Sequence, residues 1–309
     1  LLAVGARFDD RVIGNPAHFA AGNPARKIVH IDIDPSSISK RVRVDVPIVG
    51  HVPEVLDELL KLLKADTRAQ DITAWWKQID EWRGKDCLRY DRHSKIIKPQ
   101  FVIEKLYEVT GGDAFITSDV GQHQMWAAQF YKFDQPRRWI NSGGLGTMGF
   151  SVPAAIGAKV GRPDRMVWAI DGDGCFQMTA QELVTAAAER IPVKIAILNN
   201  AYLGMVRQWQ EMFYEERYSE VYLSPDLPDY VKWAEAMGCV AFRVEHPDDI
   251  APTIEKANAI DDRPVVVEFR TDAAEKVFPM VPAGKSNSEV QVPQFQVRPG
   301  GPGTGEGGQ

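Results

Sequence analysis

Cysteine is scarce: Cys87, Cys175 and Cys239 are the only three among 309 residues, widely spaced and without a C-x-x-C pair. That argues against a disulfide framework and predicts a reducing, cytoplasmic setting. No stretch approaches the roughly 18 consecutive apolar residues of a membrane-spanning helix, and no basic-then-apolar leader opens the chain. A membrane partner is therefore not expected. Basic excess is missing too, since the net charge is −6, which leaves no electrostatic footprint for nucleic acid. Two common glycine-rich fingerprints also fail. After Gly172-Asp173-Gly174 the third-glycine position of G-x-G-x-x-G is Gln177, and Gly284-Lys285-Ser286 has Pro279 where a P-loop would open on glycine. An initiator methionine is lacking, and Leu1-Leu2-Ala3-Val4-Gly5 reads as a buried strand already under way, so a carboxyl-terminal fragment is expected.

What the chain has is 44% apolar content, enough for more than one core, arranged as apolar runs alternating with helical patterns. This predicts an α/β fold with two doubly wound parallel-sheet domains. Residues 1–66 form a partial first domain, with strands over 1–5, 27–32 and 44–49 and a helix over 52–63. Residues 67–98 form a charged linker in which Trp75, Ile79 and Trp82 at helical spacing predict a helix packed against the domains. Residues 99–280 form the second domain. Proline at 279, 282, 293 and 299 makes 281–309 an irregular segment, ending in a low-complexity tail over 300–309 expected to be disordered.

Residues 166–209 organise the second domain. An apolar run ends in Asp171-Gly172-Asp173-Gly174, a helix follows, and a second apolar run ends in Asn199-Asn200. Thr179-Ala180-Gln181-Glu182 is a capping-box pattern that predicts a helix start near Thr179. In a strand-helix-strand crossover the two strand ends lie side by side, so Asp173 and Asn200 converge. A glycine loop suits a phosphate, whereas an aspartate in it repels one unless a divalent cation lies between. Asp and Asn oxygens are hard ligands suited to Mg²⁺, and the combination asks for a metal-bridged diphosphate.

Gly172-Asp173-Gly174 through Asn199-Asn200 resembles the signature of thiamine-diphosphate enzymes. Within them, Ser118-Asp119-Val120-Gly121-Gln122-His123-Gln124-Met125-Trp126, Ser142-Gly143-Gly144-Leu145-Gly146-Thr147-Met148-Gly149 and Tyr202-Leu203-Gly204-Met205-Val206-Arg207-Gln208-Trp209 closely resemble catalytic subunits of the acetohydroxyacid (acetolactate) synthase family. The resemblance covers about residues 1–290.

The resemblance implies thiamine diphosphate, Mg²⁺ and FAD as cofactors. Val120, Gly121, Gln122 and His123 would contact the diphosphate, with Gly172, Gly174 and Cys175 beside it. Asp173, Asn200 and the backbone carbonyl of Tyr202 would bind Mg²⁺. Gly146 and Met148 would lie against the aminopyrimidine, Met148 as a wedge under the bent cofactor. Met205 and Trp209 would line the substrate entrance, Trp209 favouring 2-ketobutyrate as acceptor. Phe8-Asp9-Asp10-Arg11-Val12 matches the flavin-domain motif, assigning Asp10, Arg11 and Asp32 to FAD contact. Arg11 would also grip the carboxylate of the second 2-keto acid in a bidentate pair. Two positions depart from the family: His51 stands where an aspartate is usual, and Cys175 where serine is frequent.

The implied reaction is decarboxylation of pyruvate and carboligation to a second 2-keto acid, pyruvate or 2-ketobutyrate, a first common step of branched-chain amino-acid synthesis. The implied assembly is a homodimer or homotetramer with the site at a subunit interface and a regulatory small subunit. The family's glutamate that protonates the aminopyrimidine comes from an amino-terminal domain of the partner subunit, so the 309 residues alone are expected to be inactive. The irregular 281–309 segment would be a lid. The alternatives are another thiamine-dependent carboligase, such as glyoxylate carboligase, against which Arg11 and Trp209 argue, and a non-catalytic cofactor-binding remnant.

Overall fold

A computed structural model describes residues 1–19, 26–65, 71–224 and 226–292. The expected tail disorder over 300–309 and the boundary at residue 66 fall outside these. The chain divides into two compact units, one of Leu1–Arg89 with Phe278–Gln309 and one of Tyr90–Val277. Both are built on all-parallel sheets among the described residues, the α/β class that alternating apolar runs dictate.

In the first unit, strand β1 (Leu2–Val4), short helix α1 (Asp10–Ile13), β2 (Val29–Asp32), β3 (Val46–Val49), α2 (Val52–Ala65) and α3 (Thr73–Arg83) follow in order, with sheet order β1-β2-β3. A small core gathers Ala3, Phe8, Ile13, Ile28 and Val42. Asp9 caps α1 by accepting from the Val12 amide. Residues 278–292 form no helix or strand beyond a bridge between Met280 and Gln291, and return to α1, where Asn287 Nδ2 donates to the Val12 carbonyl at 3.0 Å.

Helix α3 is present as its aromatic spacing predicts, but the expected packing is not. None of its residues is buried, and Trp75, Trp76 and Trp82 stay 57%, 49% and 49% exposed. Spacing puts Trp75 and Trp82 on one face, where they meet each other edge to face at 5.5 Å. Periodicity reports which residues share a face, not what covers it.

The second unit runs α4 (Pro99–Thr110), β4 (Phe115–Ser118), α5 (Gln122–Phe130), β5 (Trp139–Asn141), α6 (Ser151–Gly161), β6 (Val167–Gly172), α7 (Asp173–Thr179), α8 (Glu182–Ala188), β7 (Lys194–Asn199), α9 (Gly204–Phe213), α10 (Tyr230–Ala236), β8 (Val240–Val244), α11 (Ile250–Asn258) and β9 (Val265–Arg270). Its sheet has the order β5-β4-β6-β7-β9-β8. Every residue of β6 and β7 is buried, as expected of central parallel strands. Val167, Ala169, Ile195 and Ile197 pack with Phe176, Leu183, Tyr230 and Val266, each large side chain contributing roughly 1.5–3 kcal/mol by burial. The chain leaves β4 for β5 on one side and returns to β6 on the other. This reversal opens a crevice at the carboxyl ends of β4 and β6, where ligands bind in such sheets.

The capping-box expectation is overturned. Thr179 ends α7 instead of opening a helix, and its hydroxyl donates to the Gly149 carbonyl at 2.9 Å; α8 starts at Glu182 with no side-chain cap. Asp171 and Gly172 complete β6, so strand and helix abut with no intervening loop. A tertiary acceptor took the hydroxyl that local pattern assigned to the helix.

Candidate active site

Three helices begin at the carboxyl ends of β4, β6 and β7: α5 after Val120-Gly121, α7 at Asp173, and α9 after Tyr202-Leu203. None has a side-chain cap, so each leaves first-turn N–H groups without an intrahelical partner, and each points the positive end of its dipole outward. The three starts border one cavity of about 200 Å³. From β4 come Val120, Gly121, Gln122 and His123; from β6, Gly172, Asp173, Gly174 and Cys175; from β7, Asn200, Tyr202, Leu203, Gly204 and Met205. Met148 reaches in from the glycine-rich loop, and Trp126 closes the rear. Uncapped helix starts around a bare-backbone cavity are a site for an anion such as a diphosphate.

Glycine is required where side chains crowd the floor. A β-carbon on Gly172 would stand 2.9 Å from the His123 ring, and one on Gly204 would overlap Gln122 Oε1 and come 2.7 Å from Asn200 Nδ2. Gln122 is locked from both ends. Its Nε2 donates to Gln208 Oε1 at 2.9 Å, and its Oε1 accepts from Asn200 Nδ2 at 3.3 Å.

Asp173 is 2% exposed, and its Oδ2 has no hydrogen-bond partner. Burial pushes its carboxyl up to about 7, against backbone hydrogen bonds from Gly174 and Ala201 that pull it down; the charge of Glu268 adds to the rise. An orphaned buried carboxylate is costly without a cation. Asn200 and Tyr202 border the same cavity, and Asn200 Oδ1 accepts from the Tyr202 amide at 3.1 Å. An Asp carboxylate, an Asn amide oxygen and a backbone carbonyl are an all-oxygen set, which fits Mg²⁺. His123 is buried, with Nε2 unpartnered, and burial drives its pKa down to about 4, so the ring is neutral at pH 7.

A second polar group lies behind the cavity. Asp119, His123, Asp171 and Cys175 bring ligand-type atoms within 4.8 Å of one another. Both carboxylates are already engaged. Asp119 accepts from the amides of Val120, Gly149 and Ser151, and Asp171 from the Gly172 amide and the Ser151 hydroxyl. Burial and the neighbouring Asp119 raise the Asp171 carboxyl well above the carboxylate range, and burial likewise raises the Cys175 thiol. This cluster is a clamp that ties the β4 end, the glycine-rich loop and the β6 end together.

Of the residues expected from sequence, the cavity gathers Val120, Gly121, Gln122, His123, Met148, Gly172, Asp173, Gly174, Cys175, Asn200, Tyr202 and Met205. Gly146 lies beside it, since a β-carbon there would touch Val120 Cγ1 at 3.8 Å. Trp209 does not border it. It follows Met205 by one turn of α9 and packs against Phe213, the ring centroids 4.9 Å apart and the planes tilted by 48°. Asp10, Arg11 and Asp32 belong to the first unit. Sequence reasoning missed Leu203, Gln208 and the Asp119–Asp171 clamp. Only the placement of Asp119 and Asp171 at the ends of apolar runs hinted at the last.

Comparison with known proteins agrees with this geometry. Residues 119–269 match the family described as thiamine pyrophosphate enzyme, C-terminal TPP binding domain, and residues 1–59 match its central domain. The chain belongs to the thiamine pyrophosphate enzymes. More particularly, it is similar to acetolactate synthases: 52% identical over 298 residues to that of Mycobacterium avium, covering 94% of this chain and 48% of the relative. It is 53% identical over 296 residues to the acetolactate synthase large subunit of Corynebacterium glutamicum (94% and 47%). Identity to the isozyme 3 large subunit of Escherichia coli is 49% over 295 residues (94% and 51%). The chain thus spans about half the length of the curated relatives it matches.

Proposed function

We propose that this chain supplies the diphosphate- and Mg²⁺-binding half of an acetolactate synthase active site. The observation that carries the reading is the convergence of three uncapped helix starts on a cavity that holds an orphaned acid, Asp173. Thiamine diphosphate, when bound, supplies the electron sink for decarboxylating a 2-keto acid. The chain's own residues bind and orient. Amides at the starts of α5, α7 and α9 hold the diphosphate, and Asp173, Asn200 and the Tyr202 carbonyl hold the cation beside it. Neutral His123 offers a ring nitrogen without adding charge. Met148, a flexible thioether against Gly174, supports the cofactor's aromatic part together with Gly146. Met205 and Trp209 shape the entrance for pyruvate and 2-ketobutyrate.

FAD contact by Asp10, Arg11 and Asp32 belongs to the same proposal, with Arg11 also gripping the acceptor carboxylate. Its support is a first-unit cavity of about 510 Å³ where Asp10 lies with Arg7, Lys40 and Arg41, cations suited to a dinucleotide's phosphates. Because relatives carry the name large subunit, we extend to this chain a small partner subunit; a homodimeric or homotetrameric assembly and a cytoplasmic location complete the proposal. Among the described residues no helix is long and apolar enough to cross a membrane. Calorimetric titration with thiamine diphosphate tests the reading. Binding that requires Mg²⁺ is expected, and cation-independent binding or none would overturn it. Product analysis on the intact enzyme separates acetolactate from the tartronate semialdehyde of a glyoxylate carboligase.

A further inference from the structure

We infer that Glu268 is a positioning residue for the cation site, acting through Asn199; the inference rests on the reading of Asp173, Asn200 and Tyr202 as cation ligands. Glu268 lies in β9, is fully buried, and does not border the cavity. Its carboxylate is held on three sides. Oε2 accepts from Arg243 Nε at 2.7 Å, while Oε1 pairs with Arg270 Nε at 2.8 Å and accepts from Asn199 Nδ2 at 2.7 Å. Two arginines would satisfy this acid without Asn199. The third bond does something else.

By drawing the Asn199 amide nitrogen toward itself, Glu268 turns Asn199 Oδ1 the other way, where it accepts from the Ala201 amide at 3.0 Å. Ala201 sits at φ +60°, a conformation a non-glycine residue holds only when its surroundings impose it. That turn carries Asn200 and Tyr202, which border the cavity. Were the Asn199 amide reversed, its NH₂ would face the Ala201 N–H and the turn would lose its anchor. A carboxylate at position 268 forbids the reversal, because it only accepts. Supports of this kind, one bond behind the ligands, typically change metal affinity by about 10–100-fold.

The test uses Mn²⁺ as a paramagnetic probe, titrated into the intact protein with thiamine diphosphate and read by electron paramagnetic resonance, with circular dichroism on every variant. Glu268→Gln supplies an NH₂ that lets Asn199 reverse, and is expected to weaken Mn²⁺ binding on the order of tenfold or more. Asn199→Ala, which leaves Glu268 with both arginines, gives the same loss and serves if Glu268→Gln does not fold. The decisive variant is the exchange Glu268→Gln with Asn199→Asp. The carboxylate that this places at position 199 accepts both from the new amide at position 268 and from the Ala201 N–H. The exchange moves the charge across one hydrogen bond and restores the bonds at position 199 while Arg270 Nε loses its acceptor at position 268, so affinity recovers in part, rising above that of either single variant. A merely structural role predicts falling melting temperatures with unchanged Mn²⁺ affinity and no recovery in the exchange, and either result overturns the inference. Absence of Mn²⁺ binding in the wild type overturns the cation-site reading and this inference with it.

Discussion

Two acids stand at the carboxyl ends of parallel strands, Asp32 closing β2 in the first unit and Asp173 following β6 in the second, and they meet opposite fates. Asp32 is only partly buried, and its own turn bonds one oxygen: Oδ1 accepts from the Asp34 amide at 2.9 Å, while Oδ2 lies 3.6 Å from His30 Nε2 without a hydrogen bond. Asp173 is left with an oxygen that nothing bonds. A strand-end acid that its own turn and solvent share carries little cost unbound; one that is buried with an unbonded oxygen carries a large one. The two look alike in sequence and differ in what surrounds them.

Replacing Asp173 breaks the comparison most strongly. Asp173→Asn keeps the volume and removes the charge, and Mg²⁺-dependent binding of thiamine diphosphate should fall on the order of 100-fold by calorimetry. In the absence of cofactor its melting temperature should match or exceed that of wild type, because a buried carboxylate with one unbonded oxygen has been neutralised. A large loss of melting temperature would show that Asp173 is a structural acid after all. Gly204→Ala comes next. Its methyl overlaps Gln122 Oε1, and both Gln122 and Asn200 must move. The expected cost is about 1–3 kcal/mol in stability and about tenfold in cofactor affinity, measured on the same instruments.

Asp32→Ala is the mirror experiment and should do less. It removes one hydrogen bond to the Asp34 amide, worth about 0.5–1.5 kcal/mol, and should leave thiamine diphosphate affinity within about twofold. A drop in flavin affinity by fluorescence titration would support the proposed FAD contact. Unchanged flavin binding would confine Asp32 to its turn.

How much of this was legible in the sequence follows from the same contrast. The runs ending at Asp173 and Asn200 announced two buried parallel strands, because fully buried strands are continuous apolar runs and hard ligands stand out at their ends. The Thr179 hydroxyl misled, since its acceptor, the Gly149 carbonyl, is 30 residues away and no local pattern reports it. The tryptophans of α3 misled for a related reason: helical spacing identified the face but not that Trp75 and Trp82 would meet each other on it and stay half exposed. Glu268 was invisible. It lies inside an apolar strand, and its meaning depends on Asn199 and Arg243 arriving from β7 and β8 to join Arg270, two residues on in its own strand.

One further prediction, of pH dependence and not of ligand affinity, concerns the opposite end of β7, where Lys194 enters the sheet only 4% exposed. Like Asp173 it is a buried ionisable group, but its Nζ donates to the carbonyls of Pro192 at 3.0 Å and Ile260 at 2.5 Å. It is completed by carbonyl dipoles, and burial, aided by the nearby Lys159 charge, brings its pKa down to about 8 from an ordinary 10.5. The sign follows from proton counting. Between these values the unfolded chain binds the proton that the folded chain has released, so raising pH favours the folded state, and below about 8 the cost of the buried charge is constant. The melting temperature of wild type should therefore climb relative to that of Lys194→Met as pH rises from 8 to 10.5, with a flat difference below 8. Alkaline effects common to both proteins cancel in that difference. A flat difference throughout would mean that the two carbonyls stabilise the ammonium as well as water does, and that of the two buried groups only Asp173 is held at a cost.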